Sequence, residues 1–209
     1  IILSIFISYI LPSKISVPNL FETNMLESLP SGLYEWELLE DGKITVWNSN
    51  EKADIPWSRA RALYPFSTDE IYSVLKDFSN YENIFDRVTE SKVLEDGIVY
   101  IRLDMPFFLA DRDYTVKYIE SSNEENIIFQ FFSVQHPDSP NNKGSVTLPR
   151  AAGEWVLKKI PGKGTQVTYT WNGELLGNFP SSSLHKAWKE QGTEVLTWLY
   201  EFLKTNKRK

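Results

Sequence analysis

The residues of this chain that could carry chemistry are few and scattered. Cysteine is absent, which excludes disulfides, thiolate nucleophiles and thiolate metal sites. The two histidines, His136 and His185, lie far apart, in neither the H-x-x-x-H nor the H-E-x-x-H spacing that brings two imidazoles to one helix face, so no histidine metal site is expected. His136 opens a Pro-rich loop and His185 stands beside Leu184 at a helix start, while Asp104 and Glu154 fall on outward faces by strand alternation. A general acid or base has to sit in a pocket within reach of the reacting group. None of these residues is so placed, and the expectation is no catalytic residue, no metal and no cofactor.

One charge is placed differently. In the run MPFFLADRDY (105–114), Arg112 alternates with Tyr114, Val116 and Tyr118, while Asp111, Asp113, Thr115 and Lys117 take the other face. The apolar residues share the face of Arg112, so its guanidinium is expected to point inward, where it needs a partner: Asp111 or Asp113, or the head group of a ligand. Just ahead, Phe107, Phe108 and Leu109 stand behind Pro106 in a connection between strands. Three large apolar residues on an exposed loop suit a contact surface.

These residues have to be positioned by a helix and a sheet. The stretch 181–204 repeats apolar side chains at Leu184, Trp188, Val195, Leu199 and Phe202, three and four residues apart, which predicts a helix with one buried face. Gly192 interrupts that stripe four residues after Trp188. Glycine inside a helix costs roughly 1 kcal/mol against alanine, so the gap marks either the close approach of a strand backbone or room for a guest molecule. On the second reading an apolar cavity lies between helix and sheet, with Gly192 facing it.

Strands fill the chain before that helix. Alternation from Leu33, a turn at Asp41-Gly42 and a second alternating run through Ile44, Val46 and Asn48 predict a hairpin. A third strand is expected over 57–64, with Ala60 and Ala62 inside and Arg59 and Arg61 outside. Ser67-Thr68-Asp69-Glu70 is a capping box opening a helix that carries Ile71, Val74, Leu75 and Phe78 and ends near 80–83. Further strands are expected over 88–94, 99–103, 114–119, 127–134, 145–148, 154–160 and 165–175, in a meander with turns at Asp96-Gly97, Ser122-Asn123, 141–144 and 161–164. The fold class is therefore α+β, an antiparallel sheet gripping a long C-terminal helix. By alternation Phe129, Phe131, Trp155, Tyr169 and Trp171 fall on the inner face, either as core or as ligand wall.

A chain of 209 residues and 24.2 kDa suits one domain with a sizeable core. A net charge of −6 and a pI near 5.1 exclude nucleic acid as main partner, because phosphate binding needs a concentrated positive face. The apolar run Ile1–Leu11 is shorter than the roughly 20 residues of a membrane span. It reads as the core of an export signal, with a docked N-terminal helix as the alternative. That divides the chain into a leader over 1–20 and a domain over 21–209, with a short helix expected over 19–29. The expected location is periplasmic or secreted if the run is a signal and cytoplasmic otherwise.

Four segments, in order, carry a resemblance: STDEIYSVLKDFSNYENIFDRVTESKVLE (67–95), MPFFLADRDY (105–114), KGSVTLPRAAGEWVL (143–157) with GTQVTYTWNGEL (164–175), and FPSSSLHKAW (179–188). Together they resemble a START (steroidogenic-acute-regulatory-related lipid-transfer) domain of bacterial type, within the helix-grip superfamily, over residues 32–204. The resemblance implies a curved sheet around a tunnel, closed by the terminal helix and by a gating loop over 106–110, with Arg112 as the inward arginine. It implies binding of one lipid, sterol, isoprenoid or fatty acid by a monomer, with transient membrane contact and transfer between membranes. The ligand-lining set would be Arg112, Tyr114, Phe129, Phe131, Trp155, Tyr169, Trp171, Trp188, Gly192 and Val195. The gate and membrane contact would be Phe107, Phe108, Leu109 and Phe179. Helix-grip relatives also include cyclases and hydrolases, so an enzyme acting on a hydrophobic substrate is the alternative.

Overall fold

A computed structural model describes residues 35–49, 56–106, 109–173, 176 and 184–206. The expected leader and the helix over 19–29 lie outside them, as do Phe107, Phe108 and Phe179. The described strands are β1 (Glu37–Glu40), β2 (Ile44–Ser49), β3 (Trp57–Tyr64), β4 (Val88–Glu95), β5 (Ile98–Leu103), β6 (Asp111–Ser122), β7 (Asn126–Ser133), β8 (Ser145–Thr147), β9 (Ala151–Ile160) and β10 (Gly164–Gly173). The helices are α1 (Thr68–Lys76), α2 (Tyr81–Ile84) and α3 (Leu184–Asn206).

Nine of the strands form one open sheet in the order β1-β2-β3-β10-β9-β7-β6-β5-β4, with β8 paired to β6. Every pairing along the path is antiparallel, and β8 alone runs parallel to its partner. This is more than the expected meander. The chain leaves β3, runs over the sheet as α1 and α2, which pack on β9, β4 and α3, and restarts at the far edge as β4, so that β10 returns to close against β3. That crossing puts α1 and α2 over one part of the sheet and leaves the rest to α3.

Local sequence explains the joints. The capping box at α1 is formed: the Glu70 N–H donates to Ser67 Oγ at 3.2 Å and the Ser67 N–H donates to the Glu70 carboxylate at 2.7 Å, satisfying two N–H groups that a helix start leaves open. The helix expected to run to 80–83 stops at Lys76. It is followed by a 3-10 turn (Phe78–Asn80) and by α2. Tyr81 folds back so that its hydroxyl donates to the Leu75 carbonyl at 2.8 Å, which secures the break.

The terminal helix buries a different line from the one expected. Trp188, Gly192, Leu196, Leu199 and Leu203 are buried, whereas Val195 and Phe202 are half-buried beside them. A Cβ on Gly192 would stand 3.0 Å from Ala60 Cβ, 3.7 Å from Val46 Cγ1 and 3.9 Å from Ser58 Oγ. The gap in the stripe is therefore filled by β2 and β3, and the expectation that Gly192 faces a cavity is corrected. Small residues on both sides let helix and sheet approach closely, and hydrogen bonds pin the contact. Ser58 Oγ donates to the Trp188 carbonyl at 3.3 Å, Trp188 Nε1 donates to the Pro56 carbonyl at 3.0 Å, and the Tyr64 hydroxyl donates to the Leu196 carbonyl. Burying each of Leu196, Leu199 and Leu203 contributes about 1.5–3 kcal/mol.

Candidate ligand-binding site

Between α3 and the part of the sheet running from β4 to β10 the side chains leave a cavity of about 80 Å³ that communicates with solvent. Its floor comes from the inner face of five strands: Ile101 and Leu103 of β5, Tyr114 and Tyr118 of β6, Phe131 of β7, Trp155 of β9 and Tyr169 of β10. Tyr81 and Phe85 cover one end, and Arg87 and Val88 lie where α2 leads into β4. From α3 come Gln191, Val195 and Trp198.

Alternation explains why these residues converge. Phe131, Trp155 and Tyr169 lie on one face of adjacent strands, and Phe131 pairs with Gly153 while Trp155 pairs with Tyr169. The ring centroids of Trp155 and Tyr169 are 4.3 Å apart, those of Phe131 and Tyr169 6.4 Å, and those of Phe85 and Trp155 6.3 Å. Gly153 makes this wall possible. A Cβ there would meet Phe131 Cζ at 2.4 Å and the Thr170 carbonyl oxygen at 2.3 Å, so the Phe131 ring occupies the space a side chain would need.

The polar lining is mostly phenolic. Burial pushes the Tyr81, Tyr114, Tyr118 and Tyr169 hydroxyls well up from the ordinary tyrosine range, and neighbouring phenols raise Tyr81, Tyr118 and Tyr169 further. Tyr81 has its bond to Leu75, and Gln191 adjoins the Tyr169 hydroxyl. The buried Gln191 Oε1 has no hydrogen-bond partner among the described residues. At the mouth, Arg87 Nε donates to Glu194 Oε2 at 2.7 Å and Nη2 to Oε1 at 2.9 Å. Those bonds hold the Arg87 pKa above its ordinary value.

Of the residues read from sequence as ligand-lining, Tyr114, Phe131, Trp155, Tyr169 and Val195 lie in this cavity. The others lie elsewhere. Phe129 is buried against Tyr72 of α1, ring centroids 5.3 Å apart, because α1 covers its stretch of β7. Trp171 and Trp188 pack on each other at 4.3 Å near Pro56, at the far end of the sheet, and Gly192 lies against Ala60.

Arg112 is almost wholly buried at 1% exposure but does not line the cavity. Its guanidinium donates to the Ala110 carbonyl and, at 2.8 Å, to the Leu176 carbonyl. Burial lowers its pKa, with Asp111 opposing. The two carboxylates offered as its partners have hydrogen bonds of their own. Asp111 takes the Arg102 guanidinium at 2.7 and 3.1 Å, and Asp113 accepts from the Ser145 hydroxyl and from Thr147 Oγ1 at 2.7 Å. Arg112 thus ties the loop before β6 to the segment beyond β10. Leu109 is half-buried, its N–H donating to the Pro106 carbonyl at 2.8 Å.

Sequence reading missed Tyr81, Phe85, Arg87, Gln191 and Trp198. Tyr81 fell at the expected end of the capping-box helix, Phe85 and Arg87 between that helix and the strand expected from 88, and Gln191 and Trp198 off the expected stripe of the terminal helix; the signal that could have found them is the aromatic pair Tyr81 and Phe85 at helical spacing.

No family model matches the chain. An uncharacterized protein of Pseudomonas aeruginosa is 29% identical over 86 residues, a match that covers 41% of this chain and 43% of that protein. Among solved structures, the STAR-related lipid transfer protein of Xanthomonas axonopodis (fragment 25–204) matches with a TM-score of 0.71 at 24% identity, over 81% of this chain and 98% of that one. Human StAR-related lipid transfer protein 5 matches with a TM-score of 0.73 at 16% identity, over 82% and 88%. At these identities the likeness fixes the architecture: the chain has the helix-grip fold of START-related domains.

Proposed function

We propose that this chain binds one hydrophobic molecule between α3 and the sheet and exchanges it at a membrane. The observation that carries the reading is the aromatic cavity itself, which lies under the terminal helix and is walled by Phe85, Phe131, Trp155, Tyr169 and Trp198. Concave apolar pockets with a few polar groups are the usual form of a small-molecule site. The START-related neighbours are named as lipid-transfer proteins, which agrees with this reading.

The size of the cavity adds a requirement. At about 80 Å³ it is smaller than the roughly 150 Å³ that encloses one benzene ring, so a lipid-sized guest has to move α3 or the loops away from the sheet. Phe107 and Phe108 are the residues proposed to meet the membrane during that movement, as their apolar character on the connection before β6 suggests.

An enzyme reading draws less support. The titratable groups lining the cavity are four phenols, all held protonated, and a paired arginine, whereas proton transfer near neutral pH needs a group tuned to that range. Glu154 is buried and its pKa is raised by that burial, but it sits on the outer face beside Gln130 and Arg59.

The test is to purify the folded protein, extract it with organic solvent and identify what it carried by mass spectrometry. One apolar compound in stoichiometric amount is the expected result. Protein that arrives empty and takes up no lipid from vesicles contradicts the proposal.

A further inference from the structure

We infer that Leu176 is a membrane-contact residue and that Arg112 is the residue that positions it, an inference that rests on the exchange at a membrane proposed above.

Two features coincide at Leu176. Its side chain is 38% exposed, and its φ is +32°, in the left-handed region where a Cβ crowds the backbone and glycine is preferred. An exposed leucine is ordinary by itself. Leu38, Leu63, Val93 and Ile119 are exposed too, but each stands on a strand. Among the described residues Leu176 is the one non-glycine residue at positive φ. Strain of that kind persists only where the surrounding structure enforces it, and it gathers at functional sites.

Arg112 enforces it. The residue is seated in β6 between Leu103 of β5 and Val146 of β8 and is almost wholly buried. Its Nη2 donates to the Leu176 carbonyl at 2.8 Å and its Nη1 to the Ala110 carbonyl. Hydrogen bonds from a buried charge are strong, because giving one up leaves that charge poorly solvated. One guanidinium therefore fixes the Leu176 backbone in its unfavourable conformation and draws it to the loop that carries the half-buried Leu109.

Position names the partner. Leu103, which pairs with Arg112, and Tyr114, two residues along β6, both line the cavity. Leu176 thus stands at the end of the cavity marked by Arg112, with its side chain held out toward solvent. An apolar guest that leaves there needs an apolar phase to enter. A lone aliphatic side chain suits the fluid acyl layer of a bilayer, whereas a shaped protein partner is gripped by aromatic and arginine anchors.

The test uses the full chain, which has no cysteine of its own. Leu176→Cys gives a single attachment point for the environment-sensitive fluorophore NBD, and Ile119→Cys, at an exposed site on β6, is the control. On mixing with phosphatidylcholine vesicles the label at 176 is expected to rise several-fold in emission and shift to the blue, and the label at 119 to stay unchanged. Unlabelled Leu176→Gly should associate with the vesicles about tenfold more weakly in a flotation assay, the loss of one apolar side chain's contact. Its thermal midpoint should be no lower than the parent's, because glycine accepts the φ; a merely structural leucine would instead show a lowered midpoint and unchanged flotation. Arg112→Met should cut the response at 176 in protein that still melts cooperatively, and if that variant does not fold the Leu176→Gly comparison decides. Parent protein that floats while the label at 176 stays in water, or Leu176→Gly that floats as the parent does, overturns the inference and leaves exchange at a membrane standing. A rise at 176 that needs no vesicles and grows with protein concentration assigns the residue to contact with a second copy of the chain and overturns it too. Parent protein that neither floats nor responds at 176 overturns the exchange and the inference together.

Discussion

Gly153 and Gly192 look alike in the sequence and act in opposite places. At Gly153 the missing Cβ is replaced by the ring of Phe131, so Gly153→Ala forces either that ring or β10 to move. Overpacking of this kind costs typically 1–3 kcal/mol. The expected outcome is a lower denaturant midpoint together with weaker binding of an apolar probe, because the displaced ring is a cavity wall. At Gly192 the space belongs to Ala60 and Val46. Gly192→Leu should likewise destabilise the fold, by roughly 1–3 kcal/mol, and so lower the denaturant midpoint, but should leave the affinity of the remaining folded protein unchanged. Loss of binding without loss of stability in that variant would restore the cavity-facing reading of Gly192. Strand alternation assigns Phe129, Phe131, Trp155, Tyr169 and Trp171 to the face on which they pack. It could not tell which of them α1 would cover, because that depends on where the chain crosses after β3.

At the level of elements, α3 is held to the sheet in two ways. Its buried side chains Trp188, Leu196 and Leu199 pack on β2, β3 and the core, whereas the cavity side is bridged at the surface by Arg87 and Glu194. Their side chains are 36% and 32% exposed, so solvent screens the pair and its contribution to stability is below about 1 kcal/mol. Its position across the mouth matters more. Glu194→Gln is expected to change the thermal midpoint little and to raise the rate at which a bound probe dissociates, measured by stopped-flow displacement. An unchanged dissociation rate would place the route of release elsewhere, at the loop before β6. The strands of this fold were largely legible in the sequence, because the strand starting at Trp57 and the capping box at Ser67 carry local signals. The return of β10 beside β3 carries none, since it is set by long-range pairing.

For the whole molecule, the phenol cluster ties stability to alkaline pH. Tyr81, Tyr114, Tyr118 and Tyr169 all have raised folded-state pKa values, so the folded state holds these protons more tightly than the unfolded state. Their contribution is complete below the ordinary tyrosine value of about 10 and is lost as pH rises through the folded-state values. Unfolding above pH 10 should therefore coincide with phenolate absorbance at 295 nm, and Tyr118→Phe should move that transition upward. Phenolate formation spread smoothly over a folded protein would contradict a buried cluster. The most direct measurement of the account as a whole is an equilibrium titration with 1-aminoanthracene, a neutral fluorescent hydrophobe, of the protein and of Val195→Trp, which fills the cavity from α3. One saturable site in the parent, lost in a Val195→Trp variant that still melts cooperatively, is the result expected. No saturable site in the parent, or equal binding by both proteins, would show that the space between α3 and the sheet is not where this chain holds a ligand.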